Sequence, residues 1–140
     1  MRETVAFHIT VLYRNFLSYT REELKKLGLS FGQMPLILYL GKHPDCTQAD
    51  LTRELQLDWG YSQRSIAKLV DSGFLIKESD RTKSGNRLRL TERGTDAFDA
   101  CHQVFGAWDR IHTDKLSPQE TETLMLLLDK ITAEEKKADR

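Results

Sequence analysis

Residues 47–91 carry two short helical patterns followed by an apolar and basic hairpin. The three segments read TQADLTREL, LDWGYSQRSIAKLVDSGF and LIKESDRTKSGNRLRLT, in that order. A small domain with this order of elements can place one helix in the DNA major groove and a loop against the flanking minor groove. This run constrains the fold more than any other feature, and it indicates a function although it contains no catalytic motif.

The length and composition favour a single domain over residues 1–140. A chain of 140 residues, 39% of them hydrophobic, can bury one good core. The longest mostly apolar run, 34–40, is too short to cross a bilayer, and no signal peptide is recognisable, so we expect a cytoplasmic protein without a membrane partner. The two cysteines, Cys46 and Cys101, are too few for a disulfide framework.

The charge is distributed unevenly although the formal net charge is zero. Residues 58–93 carry eight Lys or Arg against five Asp or Glu, whereas residues 94–140 carry six against ten. The basic excess therefore falls where DNA phosphates would have to be neutralised. We expect the acidic C-terminal helices to face away from DNA.

Amphipathic or apolar helices precede this region. Apolar residues at helical spacing run through residues 2–27, and Gly28 follows as a helix end. Ser30 and Gln33 form a capping-box pattern before an apolar helix that begins near Met34. Pro35 should either kink this helix or delay its start.

Capping residues divide the rest of the chain. Thr47 and Asp58 are expected to begin two short helices, and Thr91 and Ser117 to begin two longer ones. Between the second and third of these helices, residues 74–76 and 88–90 are predicted to form strands. The residues Ser84-Gly85-Asn86 predict a tight turn between the strands.

The terminal helices carry more apolar surface than the central head can cover, which predicts a symmetric homodimer; packing within a monomer is the alternative. We assign residues 1–29 and 92–133 mainly to dimerisation, 30–91 to the DNA-binding head and 134–140 to a frayed tail. The residues predicted to lie in the dimer interface are Val5, Ile9, Leu12, Leu124, Leu127, Leu128 and Ile131.

Taken together, these segments resemble the MarR family of winged helix-turn-helix transcriptional regulators. The similar stretches lie at residues 47–51, 57–64, 69–75, 90–94 and 116–120, in the family's order and spacing. The resemblance implies a mainly α fold with a small β-wing, dimerising through its N- and C-terminal helices. It also implies a sequence-specific DNA-binding regulator, expected to be a repressor, whose two heads bind a pseudo-palindromic operator.

The residues near the N-terminus of the second helix are the candidates for base readout. Gln63 can pair with adenine and Arg64 with guanine, while Ser62 suits a base or a phosphate. Lys68, one turn further on, is expected to reach a phosphate. Thr47 and Gln48 are expected to hold phosphate through backbone amides at a helix N-terminus. For each of these residues a solvated polar face is the alternative.

Aromatic residues and the wing leave further alternatives open. Trp59 and Tyr61 either pack against the first turn of the domain or lie against deoxyribose or a thymine methyl group. The family's usual Asp-Arg-Arg triplet in the wing is altered here, within residues 80–87. Either Arg81 belongs to a displaced remnant of the triplet, or Lys83 and Arg87 make the groove contact.

The signal that would control DNA binding is expected to be a small hydrophobic or phenolic ligand. The family's redox-sensing branch has a reactive cysteine in its N-terminal helix, which is absent here, and the loop group His43, Asp45 and Cys46 lacks a fourth metal ligand. We therefore expect no metal and no cofactor, with a redox- or metal-responsive regulator as an alternative. The residues predicted to line a ligand crevice are Tyr13, Phe16, Met34, Leu38 and Tyr39.

An enzyme is not expected, because no phosphate-binding loop, nucleophile elbow or metal-hydrolase motif is present. A winged-helix module that binds protein rather than DNA is the remaining alternative, since a fold alone does not determine its ligand.

Overall fold

The computed structural model describes residues 3–79 and 86–138, with backbone only for residues 134–138. The described chain falls into two units, Met1–Phe105 and Gly106–Arg140. This division does not coincide with the functional boundaries at residues 29 and 92, so the assignment of head and dimerisation segments remains a prediction.

The fold is mainly helical with a small β-wing, as predicted. The helices are α1 (Val5–Leu27), α2 (Met34–Lys42), α3 (Gln48–Glu54), α4 (Trp59–Asp71), α5 (Glu92–Thr113) and α6 (Pro118–Ala138), with a 3-10 turn at Phe31–Gln33 and strands β1 (Leu75–Ser79) and β2 (Asn86–Leu90). Helix α6 continues past its predicted end at residue 133.

The predicted helix caps are present as hydrogen bonds. Thr47 Oγ1 accepts a hydrogen bond from the Asp50 amide at 3.0 Å, and Asp50 Oδ2 accepts one from the Thr47 amide at 3.2 Å. The backbone amide of Thr47, more than any other group, holds the pKa of Asp50 below its ordinary value. Asp58 Oδ2 caps α4 by accepting from the Tyr61 amide at 3.0 Å. Local polar chemistry therefore sets where these helices begin.

Pro35 does not delay the start of α2, which begins one residue earlier at Met34. The residue lies in the first positions of the helix, after the 3-10 turn that Ser30 and Gln33 cap. A proline costs no hydrogen bond there, because the first amides of a helix have no partner within the helix. At the other end of the turn region, Gly28 closes α1 in the left-handed conformation with φ 80°.

The core of the first unit is formed by one cluster of buried side chains from α1 to α5. Its members include Leu24, Leu36, Ile37, Leu40, Leu51, Ile66, Leu69, Phe74, Leu88, Ala97 and Cys101. At two glycines, neighbouring atoms of this core lie so close to the backbone that they leave no room for a side chain. A Cβ atom at Gly41 would lie 2.0 Å from Phe98 Cδ2, and one at Gly94 would lie 2.1 Å from the carbonyl oxygen of Phe74.

The wing is an antiparallel pair in which Leu75 faces Leu90 and Ser79 faces Asn86. Two details differ from the sequence expectation. Phe74 precedes β1 and is buried in the core, and Asn86 begins β2 where a turn residue had been predicted. The other predicted turn residues, Ser84 and Gly85, lie outside the described residues.

Across the residues that the structure describes, none of the helices has both the length and the apolar character needed to cross a membrane.

Candidate nucleic-acid interface

Helix α4 lies on the core with one face and exposes the opposite face. Ile66 and Leu69 are 1% and 0% exposed and anchor the buried face. Gln63, Arg64 and Lys68 are exposed, as a helix that enters a groove requires. The structure thus leaves these three predicted DNA-binding side chains available on one element.

Ser62 is placed differently, and the prediction that it binds DNA is wrong. Its side chain has no exposed surface, and its Oγ lies 2.6 Å from Thr52 Oγ1. Thr52 Oγ1 also donates to the carbonyl oxygen of Gln48 at 2.7 Å. Ser62 therefore joins α4 to α3 and sets the spacing of the two helices, because a buried hydroxyl must be hydrogen-bonded.

The N-terminus of α3 also differs from the sequence expectation at the level of side chains. Gln48 is only 4% exposed, and the Thr47 hydroxyl is engaged in the capping box. The Gln48 side chain is therefore not presented to solvent for DNA binding, whereas the Thr47 side chain is half-buried. Phosphate contact through the backbone amides of this helix stays a prediction.

The two aromatic residues at the start of α4 lie outside the core. Trp59 and Tyr61 are 49% and 40% exposed. The Tyr61 hydroxyl lies close to Gly32, because a Cβ atom added at Gly32 would be 3.0 Å from the Tyr61 hydroxyl oxygen. Neither residue belongs to the buried core, and the two alternatives, packing against the first turn of the domain and contact with DNA, stay predictions.

Sequence reasoning missed a basic cleft beside α4. The cleft has a volume of about 440 Å³ and is lined by Lys25, Gly28, Leu29, Ser30, Gln33, Tyr61, Ser65 and Lys68. Lys25 belongs to the last turn of α1, and Lys68 belongs to α4. Two ammonium groups and several hydroxyl groups, with no carboxylate in the lining, make the cleft suitable for an oxyanion. The fold alone brings Lys25 here, and no local sequence signal marks it.

The wing is held to the loop between α2 and α3. The backbone amide of Leu88 donates to the Cys46 carbonyl oxygen at 2.9 Å, and Thr47 forms a bridge with Arg87. Arg87 Nη1 donates to the carbonyl oxygen of Asp45 at 2.8 Å. The predicted DNA-binding residue Arg87 thus takes part in a contact within the protein.

The sequence and the fold are similar to those of known proteins. A sequence model of the MarR family matches residues 27–83. The HTH-type transcriptional regulator BilQ of Clostridium symbiosum is 33% identical over 132 residues, which cover 94% of this chain and 92% of that protein. The chain belongs to the MarR family.

Solved MarR structures share the fold. A MarR transcriptional regulator from Methanosarcina mazei Go1 is similar with a TM-score of 0.77 and 24% identity, over 99% of this chain and 93% of that one. A mutant of MarR from E. coli, complexed with operator DNA, has a TM-score of 0.71 and 23% identity, over 91% and 92% of the two chains. These structures show that the fold is a winged helix-turn-helix. The sequence relatives show that the protein is a MarR-family transcriptional regulator.

In this MarR-family head, two of the predicted wing contacts cannot be placed. Arg81 and Lys83 lie outside the described residues. Arg89, which had not been singled out, pairs with Asp45 through two hydrogen bonds of 3.0 and 3.1 Å. The hydrogen bond to Asp45 raises the pKa of Arg89 above its ordinary value.

The predicted ligand-lining residues of this MarR protein have different surroundings. Met34 is 5% exposed and belongs to the core, so its proposed place in a ligand crevice is not supported. Phe16 stacks on Phe105 with ring centroids 5.6 Å apart, and Tyr39 stacks on His43 at 4.2 Å. Tyr13 is exposed, and Leu38 packs against the core. A crevice that unites these residues stays a prediction.

The two thiols and the loop group His43, Asp45 and Cys46 have the following surroundings. Burial is the main cause that raises the pKa of Cys46 and of Cys101 to about 11, so both thiols are neutral near pH 7. His43 stacks on Tyr39 and Asp45 binds Arg89. No group of three His, Cys, Asp or Glu side chains suited to a metal ion occurs within residues 3–79 and 86–133.

Each unit exposes apolar side chains at the positions predicted for dimerisation. On α1, Val5, Ile9 and Leu12 are 46–62% exposed. On α6, Leu124, Leu127, Leu128 and Ile131 are 39–57% exposed. Monomeric proteins rarely expose large contiguous apolar patches, so these residues keep the predicted role in dimerisation as a prediction.

Proposed function

We propose that this MarR-family protein is a sequence-specific repressor that binds a pseudo-palindromic operator as a homodimer. The exposed face of α4 is the observation that carries the proposal. Gln63 and Arg64 are solvent-exposed there, while the opposite face is anchored in the core. We assign base readout to these two side chains, because amide and guanidinium groups pair bidentately with adenine and guanine.

The basic cleft supplies the backbone contacts in this proposal. Lys68 and Lys25 line one cleft beside α4, so a DNA phosphate held there would orient the helix in the groove. The assignment of Lys68 follows the sequence prediction, and Lys25 is an addition from the fold.

The homodimer is proposed from the exposed apolar residues of α1 and α6. A symmetric dimer places two heads on half-sites about 10 base pairs apart, or a multiple of that spacing. Sedimentation equilibrium is expected to give a dimer for the wild type. Leu127→Asp should shift it towards monomer, because a carboxylate would be buried in the interface. A wild-type protein that remains monomeric at micromolar concentration contradicts this part of the proposal.

The test of DNA readout is an unbiased selection from random duplexes, followed by titration of the selected and a random sequence at several salt concentrations. Gln63→Ala should cost about 1–3 kcal/mol on the selected sequence and relax preference at one base position. Lys68→Ala should weaken binding to both sequences alike and reduce the salt slope by about 1.

Gln103→Ala is the matched control, since it removes the same amide from an exposed position on α5. It should leave the preference and the affinity unchanged. An unaltered base preference in Gln63→Ala would show that this residue does not read DNA. Binding that is insensitive to salt and sequence would favour a protein-interaction module instead.

Release by a small hydrophobic or phenolic ligand completes the proposal. A panel of salicylate-like phenols should include a compound that raises the melting temperature and weakens operator binding. If no compound in a broad panel does either, ligand gating is wrong while DNA binding is unaffected. Repression itself is measured by transcription in vitro from a promoter that contains the selected sequence.

A further inference from the structure

Asp45, in the loop between α2 and α3, joins this loop to both arginines of β2. We propose that Asp45 is a positioning residue that fixes the wing on the head and withholds Arg87 and Arg89 from DNA phosphates. The inference rests on the proposed DNA-binding function and concerns how the wing contributes to it.

One residue engages the two arginines through different atoms. Asp45 Oδ1 accepts hydrogen bonds from Arg89 Nε at 3.1 Å and from Arg89 Nη2 at 3.0 Å. Its backbone carbonyl oxygen accepts from Arg87 Nη1 at 2.8 Å. Glu78 on β1 adds a second, longer ion pair to Arg89 at 3.7 Å. The charges of β2 are thus directed towards the protein at the base of the wing.

The backbone is paired at the same place. Leu88 donates its amide to the Cys46 carbonyl oxygen, and Thr47 pairs with Arg87. Thr47 is also the cap that begins α3. The loop therefore ties the orientation of β2 to the first helix of the helix-turn-helix, and Asp45 adds the side-chain part of this connection.

The conformation of Asp45 explains which substitution tests this role. Its φ is 61°, in the left-handed region that favours glycine and that asparagine and aspartate also tolerate. Asparagine keeps the size and the backbone conformation while it removes the charge. Alanine would add backbone strain, so its effect could not be separated from the loss of the side-chain carboxylate.

The ion pair between Asp45 and Arg89 is exposed to solvent, so a DNA phosphate can compete with Asp45 for the arginine. The side chains of Arg89 and Asp45 are 53% and 44% exposed. A phosphate offers the same paired acceptors as a carboxylate, so an arginine released from Asp45 can bind DNA without regard to sequence. Each added phosphate contact steepens the salt slope by about 0.9, which enlarges the affinity ratio between 50 and 200 mM salt by about three- to fourfold.

The experiment compares Asp45→Asn with Asp99→Asn, which makes the same change in net charge at an exposed position on α5. Selected and random duplexes are titrated from 50 to 200 mM salt. For Asp45→Asn we expect a salt slope steeper by about 1 and a lower ratio of selected to random affinity. The proposal is overturned if the salt slope and the ratio of selected to random affinity equal those of Asp99→Asn. It is also overturned if Asp45→Asn weakens binding to both duplexes equally and leaves the salt slope unchanged.

A second readout does not require DNA. Amide exchange measured by NMR should be faster for Leu88 in Asp45→Asn, while the core amide of Leu69 keeps its wild-type rate. Unchanged protection of Leu88 overturns the positioning role, even if the wild type binds no DNA and the proposed function has failed. Asp45→Gly, which also suits the left-handed backbone, should give the same results and replaces Asp45→Asn if that variant does not fold.

Discussion

Replacing Ser62 by alanine should lower the stability of the protein without altering its base preference. Thr52 Oγ1 donates its single proton to the carbonyl oxygen of Gln48 at 2.7 Å. Within the 2.6 Å pair, Ser62 must therefore be the donor and Thr52 the acceptor. Ser62→Ala removes this one hydrogen bond and leaves no buried donor without an acceptor.

The size of the effect follows from this geometry. Loss of one neutral buried hydrogen bond costs about 1 kcal/mol, which corresponds to a decrease in Tm of about 3–4 °C for a chain of 140 residues. Thr52→Val should cost more, about 2–3 kcal/mol, because it removes both hydrogen bonds and leaves the Ser62 proton without its acceptor.

The assay combines denaturant unfolding with the selection from random duplexes. Ser62→Ala and Thr52→Val should be non-additive in the double mutant, since they share one hydrogen bond. Gln63→Ala should show the opposite pattern, with an altered base preference and a free energy of unfolding within about 0.5 kcal/mol of wild type. A Ser62→Ala variant with wild-type stability and a changed base preference would refute the structural role assigned to this hydroxyl.

Two further predictions concern packing and the thiols. In chemical denaturation, Gly41→Ala should destabilise the protein by about 1–3 kcal/mol or more, because the new methyl group would overlap the Phe98 ring. Gly106→Ala is the control and should be neutral or stabilising, because its methyl group would lie 3.6 Å from the Arg110 guanidinium. Because burial raises the pKa of Cys46 and Cys101 to about 11, from 9.0, the unfolded thiols ionise first as the pH rises. The free energy of unfolding should therefore fall between about pH 9 and 11, less so in the Cys46→Ser, Cys101→Ser double variant; equal slopes would contradict the assigned shifts.

Local signals predicted the helices well, because a cap and its partner lie three residues apart in the chain. Thr47 with Asp50 and Ser117 with Glu120 form such pairs, and each helix begins where the pair indicates. The hairpin and the order of elements also followed from local pattern. These features depend on neighbours in sequence and need no knowledge of the tertiary fold.

The misplacement of Ser62 has a physical reason that the sequence contained. Ile66 and Leu69 follow it by four and seven residues, so Ser62 lies on the same apolar stripe and faces the core. The identity of a small polar residue suggested a DNA contact, but its position on the helix determined its burial.

The contacts of the wing were beyond sequence reasoning for another reason. Arg87 reaches the carbonyl oxygen of a residue 42 positions earlier. Likewise, Lys25 and Lys68 meet at one cleft only after α1 and α4 have packed on the same head. No periodicity or spacing encodes such distant partners.

The strand pairing of the wing also bears on how the protein behaves in concentrated solution. In the described part of the wing, β2 lies between β1 and the Cys46 carbonyl oxygen, so β1 presents the open backbone edge. Ile76, 43% exposed, stands on this strand beside the exposed charges of Lys77 and Glu78. Charged side chains on an open strand oppose pairing with another molecule, and salt screens them. High salt is therefore the condition under which this edge is least protected from self-association.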